Sequence, residues 1–302
     1  MGDIKLFDVS GGTALEIDPS APGLERALQT LIERNLETFL GVRFLASEYV
    51  TSHGGRMDTL GIDENGCPVI IEYKRTRDEN VINQGLFYLD WLMDHRGDFE
   101  LLVLKTFGKD AAEQIEWSAP RLLCIAGDFT RYDEHAVKQM GRNIELIRYR
   151  RFGESLLLFD LITATTAETS VAAPAKRGSS APQTYKTVSE YLSDADEELT
   201  NLYKDVQVQL LALGDDVQEK TLRFYIAFRR IKNFACVEIK PQINVVRLYL
   251  KVDPDRVELE DGFTRDVRQV GHFGTGDLEV TIRSNEDLAR AMPLIRESYE
   301  NS

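Results

Sequence analysis

Amphipathic stretches alternate with short apolar runs through the first half of the chain. Leucine and isoleucine recur at helical spacing between residues 24 and 40 and predict a helix there. Apolar runs on both sides of Asn65-Gly66 predict a β-hairpin, because this dipeptide suits a tight turn. A shorter hairpin is expected near the N-terminus, around the Gly11-Gly12 turn.

The following residues continue the alternation of helix and strand. Helical patterns cover residues 80–95 and 133–140. Apolar runs predict strands over residues 99–104, 121–127 and 144–150. This order predicts an α/β fold with a mixed sheet flanked by helices.

The second half of the chain has a different order of elements. A long helical tract is predicted over 188–213, followed by three strands and a closing helix over 285–300 with Asn285 as its N-cap. The predicted strands are 234–239, 245–252 and 277–282. This order predicts a smaller α+β domain.

Between the halves, residues 166–184 are rich in Ala, Ser, Pro and Thr and lack large hydrophobic side chains. Such a composition indicates an exposed linker. We therefore expect one domain over 1–165 and another over 185–302.

Composition narrows the class of protein. The net charge of −14 counts, on average, against nucleic acid as a partner, although a cleft can still be locally basic. Three scattered cysteines argue against a disulfide framework and favour a reducing cytoplasm. We expect no membrane segment, because no apolar run approaches about 18 residues. Nor does the N-terminus have the pattern of a secretion signal.

The hairpin carries the most specific chemistry, in "GGRMDTLGIDENGCPVIIEYKR", residues 54–75. If its loop has three residues, with Gly66 in the left-handed conformation, Asp58 lies directly opposite Glu72. A two-residue loop would leave the acids diagonal, still within reach of one ion. Lys74 shares the face of Glu72, because strand side chains alternate. Two carboxylates this close repel each other, and a divalent cation would remove the repulsion.

A less specific interpretation stays open, because E-x-K strand ends are common on solvated surfaces. The apolar run before Glu72, residues 69–71, favours a central strand instead.

Taken together, these motifs resemble the PD-(D/E)XK nuclease superfamily, and the NucS-type endonucleases in particular. The resemblance covers roughly residues 20–150, through "LERALQTLIERNLETFL", "GGRMDTLGID", "PVIIEYKR" and "VINQGLFYLDWL". It implies a restriction-endonuclease-like fold and an active site formed by Glu25, Asp58, Glu72, Lys74 and Gln84. One departure is Tyr73, which stands where an aliphatic residue is usual.

The resemblance implies an endonuclease that hydrolyses DNA phosphodiester bonds with Mg²⁺ or Mn²⁺, in DNA repair or in defence against foreign DNA. Asp58, Glu72 and the carbonyl of Tyr73 would hold the metal, and Glu25 one of its waters or a second ion. Lys74 would orient or deprotonate the attacking water. A homodimer is expected if both strands are cut together.

Several basic and aromatic residues are candidates for contacts with DNA, and a solvated surface is the alternative for each. In the first half they are Arg56, Arg75, Arg77 and Tyr88. In the second half, basic residues interleave with aromatic ones between positions 223 and 251, and the candidates are Arg229, Arg230 and Lys232. The Gly-rich segment 271–279 lacks the lysine of a phosphate-binding loop and predicts a turn.

Two other functions stay open. The chain would be a non-catalytic nucleic-acid-binding protein if it keeps the fold without turnover. It would be a partner-binding accessory protein if its acidic charge excludes nucleic acid. The second half resembles an uncharacterised domain that is often attached to nuclease-like modules, a resemblance that implies no activity.

Overall fold

A computed structural model of the chain describes residues 4–20, 25–75, 80–166 and 186–302. Leu24, Arg77 and nearly all of the predicted linker lie outside the described residues. The chain forms two compact units. The first contains the described residues within 1–62, 68–115 and 120–167, and the second those within 63–67, 116–119 and 168–302.

The first unit contains a mixed sheet flanked by helices, which confirms the predicted fold class. Its strands are β1 (Leu6–Asp8), β2 (Leu15–Ile17), β3 (Pro19–Ser20), β4 (Val42–Val50), β5 (Arg56–Asp63), β6 (Pro68–Lys74), β7 (Arg121–Ala126), β8 (Asn143–Phe152) and β9 (Leu156–Ala164). Its helices are α1 (Glu25–Arg34), α2 (Leu36–Leu40), α3 (Asn80–Asp94), α4 (Arg96–Phe107), α5 (Lys109–Glu113) and α6 (Arg131–Gln139).

Seven strands form the main sheet in the order β3-β8-β7-β6-β5-β4, with β9 also paired to β8. Strands β6, β7 and β8 are parallel, whereas β5 and β6 form an antiparallel hairpin. Strands β1 and β2 form a separate antiparallel pair, as the N-terminal hairpin prediction requires. The apolar run before Glu72 is completely buried, so β6 is a central strand.

Helix α3 packs closely on the sheet because of one glycine. A Cβ atom on Gly85 would lie 2.4 Å from Cδ1 of Leu122 in β7. In the parallel register Leu122 pairs with Ile70, which shares a face of the sheet with Glu72. Helix α3 therefore covers the face on which Glu72 lies.

The second unit combines an antiparallel sheet with helices on one side. Its helices are α7 (Val188–Asp194), α8 (Glu197–Leu211) and α9 (Asn285–Glu300), and its strands are β10 (Gln218–Thr221), β11 (Ile226–Arg229), β12 (Asn233–Lys240), β13 (Val245–Leu250), β14 (Thr264–Asp266) and β15 (Leu278–Ile282). The strand order is β10-β11-β12-β13-β15-β14. An apolar core between the helices and the sheet includes Val206, Phe234, Leu248 and Ile295.

Several predicted elements are wrong in type or extent. Residues 99–104 belong to helix α4, in which Phe99 and Val103 are buried one turn apart. The helix expected over 24–40 is interrupted at Asn35, whose side chain donates to the carbonyl of Leu31. Strands β4 and β9 lie in segments for which no strand was predicted.

Capping residues explain two further differences in the second unit. The tract 188–213 is divided because the Asp196 side chain accepts from the backbone N–H of Leu199 and starts helix α8. The N-cap of α9 is Ser284 rather than Asn285, and it accepts from the N–H of Asp287 at 3.3 Å. Residues 271–277 contain no helix or strand before β15 begins, as expected for a turn.

Candidate active site

The β5–β6 hairpin has the three-residue loop that aligns its acids. Gly66 has a φ of 76°, and the backbone N–H of Asp63 donates to the carbonyl of Cys67 at 2.9 Å. Thr59 pairs with Ile71, so the same register continued by one residue places Asp58 opposite Glu72. The alternative with diagonal acids is thereby excluded.

The two acids contact each other's backbones. The N–H of Asp58 donates to Oε1 of Glu72 at 3.2 Å, and the N–H of Tyr73 donates to Oδ2 of Asp58 at 3.0 Å. The second oxygen of Glu72, Oε2, is buried without a hydrogen-bond partner among the described residues. A buried carboxylate oxygen without a partner is costly, which indicates that this position suits a positively charged ligand.

Burial and mutual repulsion shift the acids toward their neutral forms. Glu72 is 0% exposed, and its burial, helped by the charge of Asp58, raises its pKa to about 9. Burial likewise raises the pKa of Asp58, against the opposing effects of the Tyr73 N–H and the Lys74 charge. A bound cation would reverse both shifts, since it favours the ionised carboxylates.

Glu25 and Lys74 complete one side of the cluster. Glu25 begins helix α1, and its Oε1 lies 3.8 Å from Nζ of Lys74. Its Oε2 accepts from the backbone N–H of Arg75 at 3.1 Å. The charge of Glu25 also acts on both Asp58 and Glu72. The fold therefore brings four of the predicted catalytic residues together.

A polar layer supports the hairpin from helix α1. The side-chain amide of Gln29 donates to the carbonyl of Asp58 at 2.8 Å. The hydroxyl of Thr59 donates to Glu33 at 2.6 Å and lies 3.2 Å from the hydroxyl of Tyr73. These contacts explain the departure at position 73, because the buried tyrosine hydroxyl has a polar partner. The sequence analysis did not select Gln29 or Glu33, although both lie in the quoted helix.

Helix α3 places the remaining predicted residues of the first unit. Gln84 and Tyr88 are one helical turn apart, and Nε2 of Gln84 donates to the Tyr88 hydroxyl at 3.1 Å. The same hydroxyl accepts from the backbone N–H of Arg56 at 3.1 Å. A Cβ on Gly55 would lie 2.5 Å from the Tyr88 ring, so a side chain at position 55 would displace this contact. Tyr88 is buried, and it fixes the start of β5 rather than presenting its ring to solvent.

Glu48, in β4, is a site residue that the sequence analysis missed. Its carboxylate lies 2.6 Å from Nη1 of Arg56, and its charge contributes to the raised pKa of Asp58. Its φ of 55° is uncommon for a residue other than glycine. A sequence pattern could not reveal it, because no strand was predicted in this segment.

The other candidates for DNA contact differ in exposure and pairing. Arg75 is exposed beside the acids, and Arg77 lies outside the described residues. In the second unit, Arg229 is buried, Lys232 is half-buried, and Nε of Arg230 pairs with Asp216 at 2.7 Å. Arg230 also stacks over the ring of Tyr299. The positions of these three basic residues offer little free charge for a phosphate.

The residues of the cluster fit a divalent cation in part. Within the described ranges, no three His, Cys, Asp or Glu side chains are arranged to hold a metal ion. Asp58 and Glu72 supply two adjacent carboxylates, one of them with an oxygen that lacks a partner. Mg²⁺ commonly uses one or two carboxylates and keeps several waters, so two side chains suffice for such a site.

None of the helices in the described residues is long and apolar enough to cross a bilayer.

Comparisons with known proteins give matches that cover different lengths of the chain. Residues 188–302 match the family described as a domain of unknown function, DUF5655. An uncharacterized protein of Haemophilus influenzae is 26% identical over 308 residues, covering 99% of this chain and 100% of its own length.

Two solved structures are similar to less of the chain. A repair endonuclease from Pyrococcus abyssi is 20% identical and covers 42% of this chain, with a TM-score of 0.29. A complex of EndoMS with double-stranded DNA is also 20% identical and covers 44% of this chain, with a TM-score of 0.29. In each case the chain spans 47% of the solved chain.

Proposed function

We propose that this chain is a metal-dependent endonuclease that hydrolyses phosphodiester bonds in DNA. One observation carries the proposal. Asp58 and Glu72 face each other across the hairpin, and the buried Oε2 of Glu72 lacks a hydrogen-bond partner among the described residues. The sequence motifs around these residues and the adjacent Lys74 give further support.

In this proposal Asp58, Glu72 and the backbone carbonyl of Tyr73 would hold Mg²⁺ or Mn²⁺. The ion would supply Lewis-acid chemistry and activation of the attacking water. The chain's residues do the positioning: Tyr73 N–H fixes Asp58, and Asp58 N–H fixes Glu72. Glu25 accepts from Arg75 N–H through Oε2, and its Oε1 lies 3.8 Å from Nζ of Lys74.

Lys74 is the candidate for orienting or deprotonating the attacking water and for stabilising the negative charge of the phosphate. Its ammonium group lies near Glu25, and its side chain is 20% exposed. An ammonium group in this partly buried position stabilises the charge that develops on the phosphate. Gln84, held by Tyr88 on the same face of the sheet, is the candidate for orienting a water or a phosphate oxygen.

A non-catalytic nucleic-acid-binding protein is the second candidate. It is favoured by the absence, among the described residues, of three metal-binding side chains in one cluster. Under this alternative the acids would stabilise the hairpin, and the protein would bind DNA without cleaving it.

A cleavage assay separates the two candidates. The full chain is incubated with single-stranded, duplex, branched and mismatched DNA in the presence of Mg²⁺ or Mn²⁺, beside Asp58→Asn and Lys74→Ala. We expect each substitution to lower the cleavage rate at least about 100-fold, because a metal-held charge contributes several kcal/mol to the transition state. Asp110→Asn and Lys109→Ala are the matched controls, because both residues are exposed on α5.

Loss of cleavage in the site variants alone supports the enzyme. Equal binding by all of the proteins with no cleavage by any supports the non-catalytic alternative. Cleavage that persists in Asp58→Asn contradicts the proposed site.

A further inference from the structure

An ion pair lies beside the candidate site, between two neighbouring strands. Glu48 of β4 and Arg56 of β5 approach to 2.6 Å, with side chains 36% and 61% exposed. Arg56 precedes Asp58 by two residues, so both side chains project from the same face of β5. The Arg56 side chain therefore projects on the side of the sheet where the acids lie.

The two partners of this pair are held by different means. The backbone of Arg56 is fixed by Tyr88, whose hydroxyl accepts from its N–H at 3.1 Å. Glu48 has a φ of 55° within a strand, a conformation that side chains other than Asn and Asp seldom adopt. Strained backbone of this kind persists where the surrounding structure enforces it, and it is concentrated at functional sites.

We propose that Glu48 is a positioning residue. In the free protein its carboxylate occupies the place on the Arg56 guanidinium that a phosphate of the substrate would take. A DNA phosphate takes over Arg56 from the Glu48 carboxylate when it binds beside Asp58. This inference rests on the proposed function and names the residue that regulates access of the phosphodiester to that site.

The chemistry of the pair allows the exchange. Carboxylate and phosphate both match the fork of donors on a guanidinium, so each can satisfy Arg56. An exposed ion pair contributes little net stability, and its replacement by a phosphate contact is therefore not strongly opposed. While Glu48 is in place, its carboxylate engages Nη1 of Arg56.

Glu48 also adds negative charge near Asp58, as Glu25 does. Moving Arg56 from Glu48 to a phosphate leaves Glu48 uncompensated beside the other acids. Binding of DNA and binding of a cation to the acids are therefore expected to favour each other.

A double-mutant cycle on the full chain tests the exchange. The affinity for a fluorescent duplex oligonucleotide is measured by anisotropy in Ca²⁺, which takes oxygen ligands as Mg²⁺ does. The proteins are the parent chain, Glu48→Gln, Arg56→Gln and the double variant. We expect Glu48→Gln to bind about two- to fivefold more tightly, the range that an exposed ion pair allows. We expect Arg56→Gln to bind more weakly and to abolish the effect of Glu48→Gln.

Two further proteins separate the exchange from other causes. Glu48→Gly keeps the left-handed backbone without strain and removes the carboxylate, so it should match Glu48→Gln. Glu113→Gln, in the exposed pair with Lys109, makes the same charge change elsewhere and should leave the affinity unchanged.

Each outcome is decisive. Tighter binding by Glu48→Gln only when Arg56 is present supports the exchange. If Glu48→Gln raises the affinity for DNA equally with and without Arg56, Glu48 acts only through general charge repulsion, and the exchange is overturned. An unchanged affinity of Glu48→Gln beside a DNA-binding parent chain overturns the exchange and leaves the proposed function standing. Failure of every protein to bind DNA contradicts both.

Discussion

Glu72 is an ionisable side chain in a completely buried position, and this combination has a measurable effect on stability. Its pKa is about 9 in the folded chain, against an ordinary value of 4.5. Between these values the folded protein keeps a proton that the unfolded chain releases. The stabilising effect of this proton is therefore complete below about pH 4.5 and is lost as the pH rises toward 9.

Glu72→Gln removes this dependence, because glutamine does not ionise. Each unit of pKa difference corresponds to about 1.4 kcal/mol. We expect the variant to gain at least about 1 kcal/mol in free energy of unfolding relative to the parent chain between pH 5 and pH 8. The measurement is urea denaturation in a metal chelator, with Glu113→Gln as the exposed control. Parallel pH curves for parent and variant would show that Glu72 ionises normally.

Individual residues also mark the limits of the sequence analysis. Asp58, Glu72 and Lys74 were selected because their spacing follows from strand periodicity, whereas Glu25 was selected only through the family resemblance. Glu48 and Glu33 were not selected, because their contacts depend on which strands and helices become neighbours. The periodicity of one segment carries no information about its distant partners.

Among elements, the hairpin was the most predictable and helix α4 the least. The Asn-Gly turn left two registers open, and the structure has the three-residue loop that places the acids opposite each other. By contrast, the run at 99–104 is rich in apolar residues, and such short runs do not distinguish a strand from a helix. In the structure Leu101 and Leu104 remain exposed while Phe99 and Val103 are buried, which is helical periodicity.

The packing of α3 on β7 gives a prediction at the same scale. Gly85→Ala would place a Cβ 2.4 Å from Leu122, and the helix that carries Gln84 would have to shift. We expect a loss of about 1–3 kcal/mol in free energy of unfolding, typical of overpacking. Urea denaturation provides the measurement.

Gly97→Ala is the matched control, because it lies in α4 with no atom within 4 Å of its added Cβ. This control should be neutral or slightly stabilising, as alanine favours helices over glycine. Equal effects of the two substitutions would contradict close packing at Gly85.

At the scale of the whole molecule, the amino-acid composition indicated the class of protein but said little about its function. The charge of −14 counts against nucleic acid, yet it is a sum over the chain and does not describe one cleft. The change from α/β to α+β order was readable from the sequence, and residues 188–302 match a domain family. The interleaved basic and aromatic side chains in that part are largely buried or paired. The sequence analysis did not foresee this, because composition does not report burial.

The central claim is that Asp58 and Glu72 share one cation. With 50 acidic residues, the whole chain will bind divalent ions weakly at many places, so only a comparison of variants is informative. Titration of Mn²⁺ into the full chain by calorimetry at pH 8 tests the claim most directly, beside Asp58→Asn and the exposed control Asp110→Asn. The account predicts one site that is lost in Asp58→Asn and kept in Asp110→Asn. Identical binding isotherms for the three proteins would contradict it.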